Sequence, residues 1–451
     1  MAIKGNGKNI IWIVVDQMRA QMLSSSGDPN SATPNLDVLA AAGVSFTQAV
    51  GGDPLCCPFR GSMLTSRYPH KCVPGHEYRM PPELPTVADA FNEAGYHTAY
   101  IGKWHVDGFH EKEGRAAMHI IPPERRGRFQ HWVGYENNNS QWDCWVHGGE
   151  GESAFHYRLP GYETDELTNL AIRYLEERAR MRTAGTEQPF FLVLSVQPPH
   201  DPYIAPEAFM RKYRPSSIRM RRNVPEHAEV TEVARRELAG AYAMVENVDW
   251  NVGRLTQKLY ETGLYFDTHL IFFSDHGDMH GSHGMLRKTN PYEESIRVPF
   301  IISGESPMQY DGRRTGRFPV PINHVDIAPT SLGLCGIEKP AWMEGYDYSF
   351  YRLRDRRPSE QEPHSAYLQS VIPTGHAHSI DRPWRGVVTT DGWKYVCFEK
   401  MPWLMFNLND DPYEEINLCH NSRFYPQQRR MLEELRSWVE RTEDSFALPE
   451  I

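Results

Sequence analysis

Four stretches of this sequence end alike: a short run of β-branched and aromatic residues stops at groups able to hold a metal or move a proton. The run 10–15 leads into Asp16 and Gln17, and the run 98–101 into Gly102, Lys103, Trp104 and His105. The run 190–196 leads into Gln197, Pro198, Pro199, His200 and Asp201, and the run 269–273 into Ser274, Asp275, His276 and Gly277. One such end means little, because Asp and Gly close strands as turn formers. Four together point to a site, since open α/β sheets bind ligands outside the carboxyl ends of their strands. Asp16, Asp275 and His276 make a set of two carboxylates and one imidazole, to which Gln17 can add a neutral oxygen. Hard oxygens suit Ca²⁺, Mg²⁺ or Mn²⁺, and the imidazole moves the choice toward Mn²⁺ or Zn²⁺. Lys103, His105, His200 and Lys288 would bring cations or proton donors to the same edge. A divalent ion ringed by cations is the apparatus for an anionic ester oxygen and its leaving group.

A nucleophile is available in the segment 54–70. Cys56, Cys57, Pro58, Phe59 and Arg60 form a Cys-x-Pro-x-Arg pentapeptide that leads into a helix-compatible stretch ending before Pro69. Proline suits the first turn of a helix, which sets Cys56 at a helix N-terminus where an anion is welcome. The same cysteines read equally well as buried structural residues, the commoner fate of cysteine.

The elements that must position these groups show in the periodicity. Helical patterns over 86–94, 167–180 and about 230–260 alternate with the apolar runs, and 298–302 closes the set. In the second pattern Leu167, Leu170, Ala171, Tyr174 and Leu175 share one face. This predicts an α/β fold with a large, mostly parallel β-sheet sandwiched by helices. Segments 105–162 and 203–225 read as irregular insertions. From about residue 363 the pattern changes to short alternating runs (386–390, 394–398, 404–407) and a helical segment over 426–442. These predict a small C-terminal antiparallel sheet subdomain with a helix, so the expected domains are a catalytic α/β domain, 1–362, and an α+β subdomain, 363–451.

Composition sets the limits. The 451 residues are 40% hydrophobic and 24% charged, which excludes disordered and collagen-like chains. A formal net charge of −10 excludes any overall pull toward nucleic acid or anionic lipid, so attraction for an anion must be local. Seven cysteines with no CxxC spacing argue against a disulfide framework and a zinc knuckle. No secretory h-region and no transmembrane run of about 20 apolar residues is found, and the expected location is cytoplasmic.

Ordered along nearly the whole chain, these motifs resemble the sulfatase branch of the alkaline phosphatase superfamily. The resemblance is carried by Asn9–Asp16, by the Cys56–Arg60 pentapeptide with Leu64–His70, and by Ala94–His105. It continues through Pro198–His200, Ser274–Asp278, Lys288, Tyr292–Pro299 and Phe406–Tyr413. The resemblance implies hydrolysis of aryl or carbohydrate sulfate esters, with phosphonate monoester or phosphodiester hydrolysis as the alternative for the same site. It implies formylglycine derived from Cys56, made by a formylglycine-generating enzyme, whose hydrate attacks sulfur and later expels sulfate by C–O cleavage, a step closed to a thiol. It also implies one divalent metal ion (Ca²⁺ or Mn²⁺, with Mg²⁺ and Zn²⁺ as further candidates) on Asp16, Gln17, Cys56, Asp275 and His276. Arg60 and Lys103 would hold the formylglycine and the metal-side oxygens. His105 would take the diol proton, and His200 and Lys288 would face the sulfate and its leaving oxygen, with His200 as the general acid. No nucleic acid or membrane partner is expected, and a homo-oligomer is compatible with the chain.

The chain departs from the usual pattern in places. Gln17 stands where many sulfatases have a second aspartate, His276 where they have Asn, and Phe59 where the pentapeptide has a small residue. The first two variants occur in some sulfatases and also in phosphonate monoester and phosphodiester hydrolases. His280 and His283 either reach the substrate or belong to a polar loop. The basic run from Arg211 to Arg222 reads as a solvated loop that could rim a pocket, and Trp132, Tyr135, Trp142 and Trp145 as core packing that could offer a stacking platform.

Overall fold

The structure is a computed structural model that describes residues 4–304, 314–358 and 360–450. Ten strands form the main sheet: β1 (Asn9–Val15), β2 (Val44–Phe46), β3 (His97–Lys103), β4 (His131–Tyr135), β5 (Trp145–Gly148), β6 (Phe155–Arg158), β7 (Phe190–Ser195), β8 (Thr268–Ser274), β9 (Phe300–Gly304) and β10 (Gly316–Phe318). Their order is β10-β2-β9-β8-β1-β7-β3-β4-β5-β6. The helices are α1 (Pro34–Ala42), α2 (Cys56–Thr65), α3 (Val87–Glu93), α4 (Glu163–Thr183), α5 (Glu207–Met210), α6 (Ala228–Glu261), α7 (Glu293–Ile296), α8 (Ile327–Leu334) and α9 (Tyr425–Arg441).

The central strands β8, β1, β7, β3 and β4 run parallel. Strand β1 is buried along its whole length, which is why it reads as an unbroken apolar run rather than an alternation. Ile10, Trp12 and Val14 join one core with residues of α2, α3 and α8, while Ile11, Ile13 and Val15 join another with α1, α4 and α6. Helices therefore cover both faces. Register then aligns the strand ends, because Val15 pairs with Ser274 across β1 and β8, and Ser195 pairs with Val14 and Gly102. Asp16 and Asp275 thus follow neighbouring strands at the same level.

Two expectations need correction. Segment 105–162 is more than an irregular insertion, for it supplies β4, β5 and β6; the pairing of β4 with β5 spans only two residue pairs, too short to show as a pattern. The strand expected at 298–302 is β9, and it runs antiparallel to both β8 and β2. The chain between β8 and β9 stays at the carboxyl end of β8, so β9 must return in the opposite sense.

A separate antiparallel sheet has the order β11 (Ser365–Ser370), β12 (Trp384–Thr389), β13 (Trp393–Phe398) and β14 (Met401–Asn407). Strand β11 begins and ends in serine and carries Gln369, so it shows no alternating signal. One face of this sheet buries Tyr367, Val387, Tyr395 and Met405 against Met431, Leu432, Leu435 and Trp438 of α9, together with Tyr68 of the main unit. The other face packs Leu368, Trp384 and Val396 with Val50 and Ile296. The small sheet is therefore fixed to the large one through two apolar contacts. No helix among the described residues is long and apolar enough to cross a membrane.

Candidate active site

At the carboxyl ends of β1, β3, β7 and β8 the polar groups converge. Helix α2 begins at Cys56, and every one of its residues is buried. Pro58 in its first turn lacks only an amide that has no helical partner, so the helix can start two residues earlier without loss. The first-turn amides and helix dipole favour negative charge at Cys56.

The Cys56 Sγ lies 3.1 Å from His276 Nε2, 3.6 Å from Asp16 Oδ1 and 3.2 Å from the Lys288 ammonium. Asp16 Oδ2 accepts from Lys103 Nζ at 2.8 Å and from Arg60 Nη2 at 3.3 Å. Burial disfavours the Asp16 charge, but Lys103, His200, Lys288 and Arg60 outweigh it and hold the carboxyl well below the usual range. Arg60 is itself fixed, since its Nη1 donates to the Lys103 carbonyl at 3.0 Å and to Ser195 Oγ at 2.9 Å. Gly102 makes this fit possible: its φ is +112°, and a Cβ there would lie 1.9 Å from the Ser195 carbonyl oxygen.

Asp275 and His276 complete a donor set. Asp275 Oδ1 accepts from the backbone amides of Gln17 and His276, while its buried Oδ2 has no hydrogen-bond partner and its nearest cation, Arg60 Nη2, is 3.6 Å away. His276 Nδ1 donates to the Gly277 carbonyl at 3.0 Å, which leaves Nε2 as the lone-pair nitrogen, 3.6 Å from an oxygen of each aspartate. Burial lowers the His276 pKa and keeps the ring neutral. One donor atom each from Asp16, Cys56, Asp275 and His276 lies within 4.8 Å of the others. An orphaned carboxylate oxygen, a second carboxylate and an aimed imidazole fit a divalent cation. Gln17 stands at the same place with φ +68°. Its amide nitrogen donates to Asp278 at 2.8 Å and to Tyr203 at 3.0 Å, so its Oε1 turns to the site and accepts from Lys288 at 2.8 Å.

On the open side, His200 Nδ1 donates to the Asp201 carbonyl at 2.7 Å, and its Nε2 is 3.1 Å from Lys288 Nζ. Burial works against the Lys288 charge, but Cys56, Asp16, Asp275 and Asp201 hold its pKa above the ordinary lysine value. His105, also at positive φ (+59°), has a pKa pushed well below normal by burial and then by Lys103, His76 and Arg60. It is a neutral base. A cavity of about 330 Å³ opens over Cys56, lined by Gln17, His105, His200 and Lys288 and by His76, Glu111, Asn137, Asn139, Arg287, Thr374 and His376. A second cavity of about 340 Å³, beside Ala40, Arg297 and Phe300, carries neither thiol nor imidazole.

Neither His280 nor His283 lines the cavity over Cys56: His280 is buried against Tyr203, while the ring of His283 stacks on Tyr292 at 4.2 Å and its Nε2 meets Asn223 Nδ2 at 3.2 Å. The turn at Gly281, φ +91°, carries the chain away from the site. Four of the six cations in the basic run form ion pairs, Arg211 with Glu207, Lys212 with Glu246, Arg221 with Glu294 and Arg222 with Glu415. Trp132 is buried against Tyr100, and neither it nor Tyr135, Trp142 or Trp145 lines the cavity. Sequence reasoning missed Ser195, His76, Arg287 and His376. Ser195 ends β7 and Arg287 precedes Lys288, signals that could have been read; His376 sits between two small residues and gave none.

Comparison with known proteins places these groups in context. Residues 8–337 match the family described as Sulfatase, and residues 281–441 match N-sulphoglucosamine sulphohydrolase, C-terminal. The chain is similar to an ulvan-active sulfatase of Formosa agariphila, 32% identical over 97% of this chain and 82% of that one. It is also similar to an arylsulfatase of Clostridium perfringens, 29% identical over 92% and 91% of the two chains. Among solved structures, a Bacteroides fragilis protein assigned as the sulfatase yidJ superposes with a TM-score of 0.85 at 26% identity, over 99% and 98% of the chains.

Proposed function

The chain belongs to the sulfatase family of sulfuric ester hydrolases, and from that premise we propose that it hydrolyses carbohydrate or aryl sulfate esters through a formylglycine made from Cys56 and one divalent ion. The observation that carries this reading is the placing of Lys288, His276 and Asp16 within 3.1–3.6 Å of the Cys56 sulfur, at the head of a buried helix. When in place, the formylglycine supplies a nucleophile that can shed its sulfate by returning to an aldehyde, and an ion on Asp16, Gln17, Asp275 and His276 supplies charge for the sulfate oxygens.

The chain's own residues do the rest. Lys103 and Arg60 hold Asp16 ionised and aimed. Lys288 offers its ammonium to a sulfate oxygen beside residue 56. Because His200 Nδ1 is committed to the Asp201 carbonyl, its Nε2 shares a proton with Lys288 Nζ, and this pair protonates the departing alcohol oxygen. The neutral His105 accepts the proton that residue 56 must lose. Asn137, Asn139, Thr374 and His376 line the cavity with hydrogen-bonding groups suited to sugar hydroxyls, in keeping with the ulvan-active relative. Residues 1–362 form the catalytic unit and 363–451 add a wall to its pocket. The proposal includes maturation by a formylglycine-generating enzyme, with maturation and turnover both in the cytoplasm.

The test is the intact mass of the peptide containing Cys56, from a host able to make formylglycine, joined to kcat/KM for matched sulfate, phosphodiester and phosphonate substrates. The expected result is the aldehyde mass with sulfate as the best substrate. An unmodified thiol would sink the mechanism, and a sulfate ranked last would favour the phosphonate or phosphodiester alternative.

A further inference from the structure

Beside the reaction centre stands a second set of metal-binding side chains. Cys57 Sγ and one ring nitrogen each of His76 and His105 lie within 4.8 Å of one another, and Cys57 Sγ is 3.8 Å from His76 Nδ1. The surroundings suit a ligand set. The Glu77 amide donates to Cys57 Sγ at 3.4 Å, which fixes the sulfur's position. Glu77 Oε1 lies 3.8 Å from His76 Nε2, as an outer carboxylate stands behind a metal-bound imidazole. His105 is 4% exposed, and its buried Nδ1 has no hydrogen-bond partner, a costly condition for a ring nitrogen. His76 and His105 both line the cavity, which gives an ion a way in.

We propose that Cys57, His76 and His105 form a second cation site, for a thiophilic divalent ion such as Zn²⁺, whose occupation stops turnover. One thiolate and two imidazoles are a zinc ligand set with a fourth position left for water. Binding is a simple exchange: the Cys57 thiol gives its proton to solvent, the sulfur and two imidazole lone pairs bond the ion, and nothing is oxidised or reduced. A neutral imidazole has one lone pair. Once His105 gives it to the ion, by either nitrogen, the ring cannot accept the proton from residue 56. The inhibition rests on the functional reading above; the site itself does not.

Two measurements on the full chain separate these. The first is Co²⁺ absorption in Cys56→Ser, where the resident site has lost its sulfur. A thiolate-to-cobalt band is expected at about one equivalent, to vanish in Cys56→Ser/Cys57→Ala and to need at least ten-fold more Co²⁺ in Cys56→Ser/His76→Gln. No band in Cys56→Ser overturns the site, whatever the enzyme hydrolyses. The second is Zn²⁺ inhibition with the resident ion saturating. Turnover should fall at least ten-fold in the native chain and less than two-fold in Cys57→Ala. Equal inhibition of both would mean that Zn²⁺ acts at the resident site and would overturn the effect on His105.

Discussion

The Lys288 ammonium lies closer to the Cys56 sulfur, at 3.2 Å, than does the Asp16 carboxylate, at 3.6 Å. In the proposed mechanism a cation this near residue 56, with His200 Nε2 3.1 Å on its other side, faces both the sulfate and the leaving oxygen. Lys288→Met is therefore expected to lower kcat about 10²–10³-fold, as for loss of one buried donor to a developing anion, with formylglycine content unchanged. Steady-state kinetics on protein of known aldehyde content decides it, and a kcat within a factor of three of the native chain would remove Lys288 from the chemistry.

His200 should reveal its role through the leaving group. A general acid matters most when the alcohol is a poor leaving group, so His200→Asn should cost about 10²–10⁴ on a sugar sulfate and far less on a nitrophenyl sulfate. Equal losses on both substrates would assign His200 to binding instead.

Chelation tests the donor set. Removing the divalent ion should abolish turnover, and returning Mn²⁺ or Ca²⁺ should restore it. Asp275→Ala should bind neither ion at stoichiometric concentration, read by metal analysis after gel filtration. An active, metal-replete Asp275→Ala chain would contradict the ligand assignment.

Much of this arrangement is legible in the sequence, for a physical reason. Strands β1, β3, β7 and β8 are central and covered on both faces, so they appear as unbroken apolar runs, and Asp16, Lys103, His105, His200, Asp275 and His276 fall one to a few residues past them, while Cys56, Arg60 and Lys288 come from elsewhere. Strand β5 and the edge strand β6 carry mixed residues and take their place from the neighbours they pair with. His76 and His376 come from loops whose positions depend on packing between the two sheets, so nothing local marks them. For His280 and His283 the polar-loop reading fits the structure: both closely follow Asp275 and His276 in sequence, yet neither lines the cavity, and the chain turns at Gly281 with φ +91°.

Gly102 tests how tightly β3 and β7 must close. In Gly102→Ala the new methyl meets the Ser195 carbonyl oxygen at 1.9 Å with φ fixed at +112°, so either the strand end or Lys103 must move. A loss of about 2–4 kcal/mol in unfolding free energy is expected, together with reduced kcat. Native stability and activity would show that the close approach is dispensable.

His324, whose ring meets that of Phe59 at 5.4 Å, supplies a pH dependence of stability outside the proposed donor set. It is buried, its Nδ1 accepts the Gly52 amide at 2.8 Å, and burial lowers its pKa to about 3 from 6.5. The native chain refuses the proton that the unfolded chain accepts. Its contribution is thus complete above pH 6.5 and is lost as pH falls toward 3, at up to about 1.4 kcal/mol per unit. His324→Gln should shrink the stability difference between pH 7 and pH 5 by about 2 kcal/mol, measured by denaturant unfolding at both values. An unchanged difference would show that this imidazole does not set the acid limb.

The burial of α2 has a consequence for the order of events in the cell. Cys56 is 2% exposed, and the nine residues after it are buried in the same helix between the sheet and α8. An enzyme that reads the whole pentapeptide cannot reach it in the finished fold, where Cys56 opens to the cavity but Pro58, Phe59 and Arg60 are buried in the helix. Any modification of Cys56 has to come first, while the segment is newly made and before β7 and β8 arrive to close the sheet around it. Activation becomes a race between a catalyst and the chain's own collapse, so a variant that folds faster would emerge less active.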